Sequence, residues 1–189
     1  VKSQIRDFGF RNASDIAVAA GPGWKPSEPF LTGNNSTVYA IASLDLKIDG
    51  PTVVDIPPGM YGTANDAVFK YLVDFGTVGP DKGKGGKYLF LPPGHEGDVP
   101  DGYFVVDSKT YNVWVFMRAS IANGLEAARK NVEDNLRIYP LAEKDNPAEL
   151  ELISGSGKSF NTIHANGFTF YEHLNEVIQK EPLDMLVPE

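Results

Sequence analysis

Apolar and polar residues alternate along much of this chain, a pattern typical of β-strands. Between residues 37 and 48, apolar side chains occupy every second position from Val38 to Leu46. Successive side chains of a strand point to opposite faces of its sheet, so this segment is predicted to be a half-buried strand. A turn signal at residues 49–51 and a short apolar run at 52–56 then predict a second strand, paired with the first as an antiparallel hairpin.

The strongest strand prediction falls on residues 110–120. Both alternate sets of side chains in this segment are largely apolar, which predicts a central strand covered on both sides. Residues 87–91 and 103–106 predict two further strands, each bounded by proline or glycine. Residues 60–76 fit two patterns, because their apolar positions suit one face of a helix while their aromatic and β-branched residues suit a strand. Both alternatives stay open for that segment.

Two segments show helical rather than alternating periodicity. Residues 123–136 combine good helix formers with one apolar face, and residues 168–181 predict an amphipathic helix that ends at Pro182. The apolar stripe of the second helix is expected to pack against protein that lies outside this chain. Short strands at spacings of about ten residues, separated by corners rich in proline and glycine, predict a mainly β fold of the β-sandwich or jelly-roll type with peripheral helices.

Composition narrows the functions that this fold can serve. The formal net charge of -8 argues against a nucleic-acid partner, because bulk electrostatics would repel the phosphates. The absence of cysteine excludes disulfides, zinc–thiolate sites, iron–sulfur clusters and cysteine nucleophiles, and the sequence predicts no cofactor. No apolar run reaches the roughly 18 residues that a spanning helix needs, so no membrane span is predicted. The compartment, cytoplasmic or periplasmic, is left open.

A loop rich in glycine and lysine at residues 79–87 has some features of a phosphate-binding loop. That motif requires Gly, four residues, then Gly-Lys-Ser/Thr at the start of a helix. Here Tyr88 follows Gly86 and Lys87, and a strand is predicted to continue from there. The segment is therefore interpreted as a mobile surface loop and not as an anion site.

A set of polar side chains lies within the strand-rich segments. They are Asn34, Thr37, Tyr39, Tyr111 and Arg118. If they converge on one sheet face, Arg118 offers a guanidinium fork to a carboxylate and the others offer hydrogen bonds. The alternative is that Arg118 forms an internal ion pair with an aspartate and the tyrosine hydroxyls bond to backbone groups. The first interpretation predicts a ligand-binding surface without a metal.

Catalytic candidates are fewer. His164, near Asn161 and Asn166, is the histidine best suited to acid–base chemistry, and it needs an acid partner and a nucleophile supplied by the fold. Asp66 is one of several aspartates able to meet a second carboxylate across neighbouring strands, as glycosidase chemistry requires. The alternative for such an aspartate is simple solvation at the surface.

Five separated blocks of the sequence are distinctive. They are NNSTVYAIASLDL, GPTVVDIPPGMYG, GPDKGKGGKYLFLPPG, VPDGYFVVDSKTYNVWVFMR and, in the linking region, NTIHANGFTFYEHLNEVIQKEP. Together, and over about residues 30–145, they resemble the bacterial family called domain of unknown function 1254. The resemblance implies a β-rich jelly-roll sandwich followed by a second β-sandwich domain, numbered 1214. Ser36 stands where many members have Asp, and the resemblance assigns no catalytic residue.

The chain is accordingly divided into an N-terminal segment (residues 1–30), a β-sandwich domain (31–145), and a linker strand and helix (146–189) leading to a C-terminal domain absent from this chain. We expect this half to bind a small polar or carbohydrate-like ligand, or its partner domain. The alternative is a hydrolase whose active site lies between the two halves, so enzymatic activity is left open. A homo-oligomeric structural role is a third hypothesis.

Overall fold

The chain folds as a β-sandwich, as the alternating pattern predicts. The computed structural model describes residues 16–19, 36–148, 150, 152–154 and 165–184. The strands of this part are β1 Ile16–Ala19, β2 Thr37–Asp45, β3 Thr52–Ile56, β4 Met60–Asp66, β5 Tyr71–Phe75, β6 Gly86–Leu91, β7 Phe104–Asp107, β8 Asn112–Ser120, β9 Arg137–Pro140 and β10 Leu152–Ser154. The helices are α1 Leu46–Asp49, α2 Leu125–Asn135 and α3 Phe168–Ile178, with 3-10 turns at Gly76–Val78 and Leu141–Glu143.

The strands form two sheets. One is six-stranded, in the order β10-β1-β2-β8-β4-β5, and the other is four-stranded, in the order β7-β6-β3-β9. β8 lies inside the six-stranded sheet and pairs antiparallel with both β2 and β4, which confirms its predicted central position. β6 and β7 run parallel, as do β1 and β10, and the other pairs are antiparallel.

The core lies between the inner faces of the two sheets. Every second residue of each long strand points inward, so the alternation seen in the sequence is the alternation between core and outer face. The inward residues of the two sheets form one continuous buried cluster. Its members include Val38, Ala40, Ala42, Leu44, Val113, Val115 and Met117 from the six-stranded sheet and Val54, Ile56, Tyr88 and Phe90 from the four-stranded sheet.

The predicted hairpin between residues 37–48 and 52–56 is wrong, because the two strands belong to different sheets. β2 pairs with β1 and β8, whereas β3 pairs with β6 and β9. The helical turn α1 ends β2, and Gly50 follows it with a φ of 66°, a left-handed conformation that suits glycine. The chain turns a corner there and crosses from one sheet to the other.

Residues 60–76 form strands β4 and β5, so the helical alternative for this segment is wrong. The two strands pair as an antiparallel hairpin with an irregular register between Ala64 and Asn65. Asp66 closes the connecting turn, since its Oδ1 accepts hydrogen bonds from the backbone N–H groups of Val68 at 2.9 Å and Lys70 at 2.7 Å. This turn places Phe69 in a left-handed conformation, with a φ of 68°.

The loop at residues 79–87 is built around a buried carboxylate. Asp81 accepts hydrogen bonds from the backbone N–H groups of Gly76 and Gly85, at 2.8 and 3.0 Å, and from the Tyr88 hydroxyl at 2.6 Å. Burial and the Asp81 charge raise the pKa of Tyr88, so the phenol stays a donor at ordinary pH. A Cβ at Gly79 would lie 2.3 Å from the carbonyl oxygen of Asp74. These bonds hold the loop that joins the two sheets, and its mobility stays a prediction.

The helices are peripheral, as predicted. α2 packs against β2 and β8 and buries Ala128 and Val132. The Arg137 guanidinium donates hydrogen bonds to the carbonyl oxygens of Glu133, Asp134 and Leu136 and so caps the end of α2. Within the described residues, no helix is both long and apolar enough to cross a membrane.

Strands on both sides of the predicted 31–145 domain join the six-stranded sheet. β1 pairs with β2 on one side and with β10 on the other, with Ile16 opposite Ala42 and Leu152. The first and last strands of the described chain are therefore neighbours at one edge of the sandwich.

Candidate functional site

The outer face of the six-stranded sheet carries a cation held between aromatic rings. The Arg118 guanidinium lies 5.2 Å from the ring centroid of Tyr39 and 5.2 Å from that of Phe116. Arg118 on β8 stands opposite Tyr39 on β2 and Tyr61 on β4, so the three residues form one row across the sheet. Cation–π contacts of this kind hold a guanidinium in place while leaving its N–H donors at the edge.

Aromatic rings continue from Arg118 along the same face. Ring centroids are 5.2 Å apart from Tyr39 to Phe116, 5.1 Å from Phe116 to Trp114 and 5.3 Å from Trp114 to Phe69. These four rings are called the aromatic row below. Trp114 and Phe116 project outward because they alternate with the core residues of β8. The row is buried at Tyr39, which is 2% exposed, and opens to solvent at Phe69, which is 65% exposed.

Polar side chains flank the aromatic row on the neighbouring strands. Thr63 lies opposite Phe116, and Ser43 and Asn65 lie on either side of Trp114. The Thr63 hydroxyl donates to the Val73 carbonyl oxygen at 3.2 Å, and the Asn65 amide donates to the Phe69 carbonyl oxygen at 3.3 Å. The face is therefore a set of ring surfaces bordered by hydroxyl and amide groups.

The internal ion pair considered for Arg118 does not form with any described aspartate or glutamate. The ion pairs found in the described residues lie on α2, where Arg129 and Lys130 meet Glu126, Glu133 and Asp134. Asp74, the acidic residue of β5, stands opposite Thr63, two strands away from β8. At a strand spacing of about 4.8 Å, that places it roughly 10 Å to the side of Arg118's strand.

The predicted ligand-binding residues do not all meet. Thr37, Tyr39 and Arg118 share the outer face, since Thr37 alternates in phase with Tyr39 on β2. Tyr111 precedes β8 at its other end, seven residues from Arg118, or about 23 Å at ~3.3 Å per residue. Asn34 lies outside the described residues, and its role stays a prediction.

Tyr111 takes part in a different structure, which attaches α3 to the sandwich. The buried Glu181 carboxylate accepts hydrogen bonds from the backbone N–H of Tyr111 at 2.6 Å and of Asn112 at 3.1 Å, and from the Asn112 side-chain amide. Lys47 lies 5.2 Å over the Tyr111 ring and donates to the Lys180 carbonyl oxygen at 3.1 Å. We call this set of contacts the Glu181 tether.

The catalytic candidates contribute no assembled acid–base pair among the described residues. Asp66 is buried, and its Oδ1 is engaged by the two backbone N–H groups of the β4–β5 turn. By shaping that turn, Asp66 positions Phe69 at the end of the aromatic row. His164 lies outside the described residues. Catalytic roles for both, and a hydrolase site shared with a second domain, stay predictions.

Comparison with known proteins identifies the family. The family described as "Protein of unknown function (DUF1254)" matches residues 16–140. The chain belongs to the DUF1254 family. This match confirms the stated resemblance over the four blocks that lie within residues 16–140. No curated protein matches the chain.

A solved structure supports the fold of this DUF1254 chain. The crystal structure of the VPA0106 protein from Vibrio parahaemolyticus is similar to it, with a TM-score of 0.58 and 20% sequence identity. The similarity covers 85% of this chain and 40% of the Vibrio chain. The DUF1254 chain thus spans less than half the length of that relative, and at this identity the likeness concerns the fold alone.

Sequence reasoning missed three rings of the DUF1254 face, Trp114, Phe116 and Phe69. The alternation in residues 110–120 already places Trp114 and Phe116 on the same side of the strand as Arg118. This alternation could have identified both rings from the sequence. It also places Tyr111 on the side of the strand opposite Arg118. Phe69 had no such signal, because the Asp66 turn brings it to the row.

Across the described residues, no group of three or more His, Asp or Glu side chains is positioned to hold a metal ion. The described side chains of the outer face provide ring surfaces, hydrogen-bonding groups and the Arg118 guanidinium.

Proposed function

We propose that this DUF1254 chain is a binding module that takes a small polar or carbohydrate-like ligand on the outer face of the six-stranded sheet. The observation that carries the proposal is the position of Arg118, stacked on Tyr39 and Phe116 with no carboxylate partner in the described chain. A half-buried guanidinium that is held by rings and makes no ion pair with a described residue offers its donors to an incoming molecule.

The aromatic row supplies the apolar part of such a site. Stacked rings bind the flat C–H faces of a small molecule with little loss of side-chain entropy, because each ring has only two rotatable side-chain bonds. Ser43, Thr63 and Asn65 beside the rings suit a ligand with hydroxyl groups. A ligand on this face would contact strands β2, β8 and β4, which are rigid elements of the sheet, and rigid elements hold a site more accurately than loops.

Ligand binding by the purified chain tests the proposal. Two-dimensional NMR spectra of the ¹⁵N-labelled chain, recorded with neutral sugars, sugar acids and small carboxylates, should show shifts concentrated on β2, β4 and β8. Phe116→Leu removes one ring of the aromatic row and should weaken binding. Tyr171→Leu is the matched control, because Tyr171 is an exposed ring on α3 whose ring contacts lie on that helix and not in the aromatic row. No shifts with any compound, or equal loss in both variants, would contradict the proposal.

We also propose a second binding surface, the apolar face of α3, for a further domain of the same polypeptide. Five large apolar residues of α3 are exposed and none of its residues is buried. They are Phe168, Phe170, Tyr171, Leu174 and Ile178. An amphipathic helix with this much exposed apolar area normally covers another surface, and the Glu181 tether fixes its end to the sandwich. The greater length of the Vibrio relative favours a domain as the partner.

Leu174→Asp tests the second surface. In this chain alone, the change should leave the free energy of unfolding nearly unaltered, because Leu174 is exposed. In a polypeptide that carries both domains, it should separate their thermal transitions in calorimetry. Glu172→Gln, on the same helix, is the control. If sedimentation instead shows this chain as a dimer that Leu174→Asp dissociates, the partner is a second copy and the domain proposal fails.

A further inference from the structure

We infer that the ligand of the Arg118 face is a small sugar acid with a single carboxylate, an inference that rests on the proposed binding function. The carboxylate would sit at the Arg118 end of the aromatic row and the sugar ring over Phe116 and Trp114. The class of ligand follows from three properties of the face: its cation, the order of its rings and the net charge around it.

The cation selects an acidic group. Arg118 is the sole Lys or Arg in the sequences of β2, β4 and β8, the strands that display the site. A guanidinium carries five N–H donors in a planar fork that matches both oxygens of a carboxylate. Such charge-assisted, two-point contacts are roughly twice as strong as neutral hydrogen bonds. A neutral sugar would leave most of this capacity unused.

The order of the rings fixes which part of the ligand lies where. Arg118 lies over Phe116 at 5.2 Å, and Trp114 follows 5.1 Å further along the row. Because the equally near ring of Tyr39 is buried, a carboxylate bound at the guanidinium places the atoms attached to it over Phe116 first and Trp114 second. Ser43, Thr63 and Asn65 border these two rings. Their polar groups favour the hydroxyl-bearing ring of a sugar over the apolar chain of a fatty acid.

The net charge limits the ligand to one acidic group. The chain carries a formal charge of -8, and Asp74 lies on β5 at the side of the same sheet, opposite Thr63. A polyanion would meet one guanidinium on these three strands and the net negative charge of the chain around it. A monoanion meets the guanidinium with little of that cost. A polymer of uronic acids is therefore disfavoured, and a monosaccharide or a short neutral chain with one acidic unit is favoured.

The test compares galacturonate with galactose, which have the same ring and differ in the carboxylate. NMR titration of the chain should give tighter binding of galacturonate, and added salt should weaken it. Arg118→Met should lower the affinity for galacturonate by about tenfold or more and leave the affinity for galactose nearly unchanged. Arg118→Lys keeps the charge without the fork and should recover part of the loss. Arg129→Met, on α2, is the matched control.

The outcomes separate this inference from the function on which it rests. Galactose and galacturonate binding with equal affinity, both unaffected by Arg118→Met but weakened by Phe116→Leu, would overturn the sugar acid and leave the binding function standing. Hexanoate binding as tightly as galacturonate would overturn the sugar and keep the carboxylate. No binding of any probe overturns both. Far-UV circular dichroism of each variant confirms that a lost affinity is not lost folding.

Discussion

The two outer faces of the sandwich differ in how far their apolar side chains are buried. On the four-stranded sheet, Val53, Leu89, Leu91 and Tyr139 form a second buried cluster, closed by the partly buried Tyr103 and Leu141. On the six-stranded sheet, the aromatic row runs outward to Phe69, whose ring is mostly exposed. One outer face has become a small core, while the other is buried at Tyr39 and opens to solvent toward Phe69.

Charges follow the same division. On the four-stranded sheet, Asp55 stands opposite Lys87 on one neighbouring strand and Arg137 on the other, and the Arg137 guanidinium caps α2. On the six-stranded sheet, Arg118 has rings for neighbours and no described carboxylate. We call the outer face of the four-stranded sheet the closed face and that of the six-stranded sheet the open face. Charged side chains of the closed face act within the fold, whereas the guanidinium on the open face is the group for which we propose a ligand.

The largest expected difference between the faces is in stability. Leu89→Ala should lower the free energy of unfolding by about 2–5 kcal/mol, because Leu89 is fully buried and a cavity remains. Ile41→Ala removes a similar volume from the half-buried position opposite Phe116 and should cost about 1 kcal/mol, since only part of its area is removed from water. Urea unfolding measures both. Equal costs would mean that the six-stranded face is as closed as the other.

Weakening the Glu181 tether tests whether ligand affinity at the aromatic row depends on the attachment of α3. Glu181→Ala leaves the N–H groups of Tyr111 and Asn112 without their acceptor and should cost about 1–3 kcal/mol. Because this end of β8 is about 23 Å from Arg118, ligand affinity at the aromatic row should not change. Glu176→Ala, on exposed helix surface, is the control. Loss of ligand binding in Glu181→Ala would show that the two regions act together.

Asp55 gives the closed face a pH dependence. Burial raises the pKa of Asp55 and outweighs the opposing effects of Lys87 and Arg137. The folded state therefore holds the proton to higher pH than the unfolded chain, and stability falls as pH rises from the unfolded pKa through the folded one. Above both values the charged carboxylate is a cost.

Asp55→Asn should remove that cost. We expect a higher free energy of unfolding at pH 7 and a smaller change between pH 4 and pH 7, measured by urea titration at each pH. Lys87→Met is the opposing variant, because losing an attracting cation raises the pKa of Asp55 further and enlarges the fall. If Asp55→Asn is less stable than the unmodified chain at pH 7, then attraction to Lys87 and Arg137, and not burial, dominates the energetics of the Asp55 carboxylate.

Sequence alone predicted the strands well and their partners poorly. Alternation in residues 37–48 and 110–120 reports burial on one face, which is a local property, so β2 and β8 were predicted. Pairing is set by contacts far apart in sequence, and no local signal indicates that β2 and β3 lie in different sheets. The same limit applies to the site. Arg118 and Tyr39 were named as candidates, but only the β2–β8 register brings them together, and only a turn held by Asp66 supplies Phe69.

The smallest expected effect is the change in the free energy of unfolding on replacing Arg118. It tests whether this guanidinium stabilises the fold or is held for a ligand. Arg118→Met should change the free energy of unfolding by no more than about 0.5 kcal/mol, because it breaks no ion pair with a described residue and a methionine still covers the rings of Tyr39 and Phe116. Arg137→Met is the matched variant on the closed face and should cost about 1 kcal/mol through the lost hydrogen bonds to the end of α2. Urea unfolding of both variants gives the comparison. If Arg118→Met is as destabilising as Arg137→Met, the guanidinium stabilises the sheet and the difference between the two faces disappears.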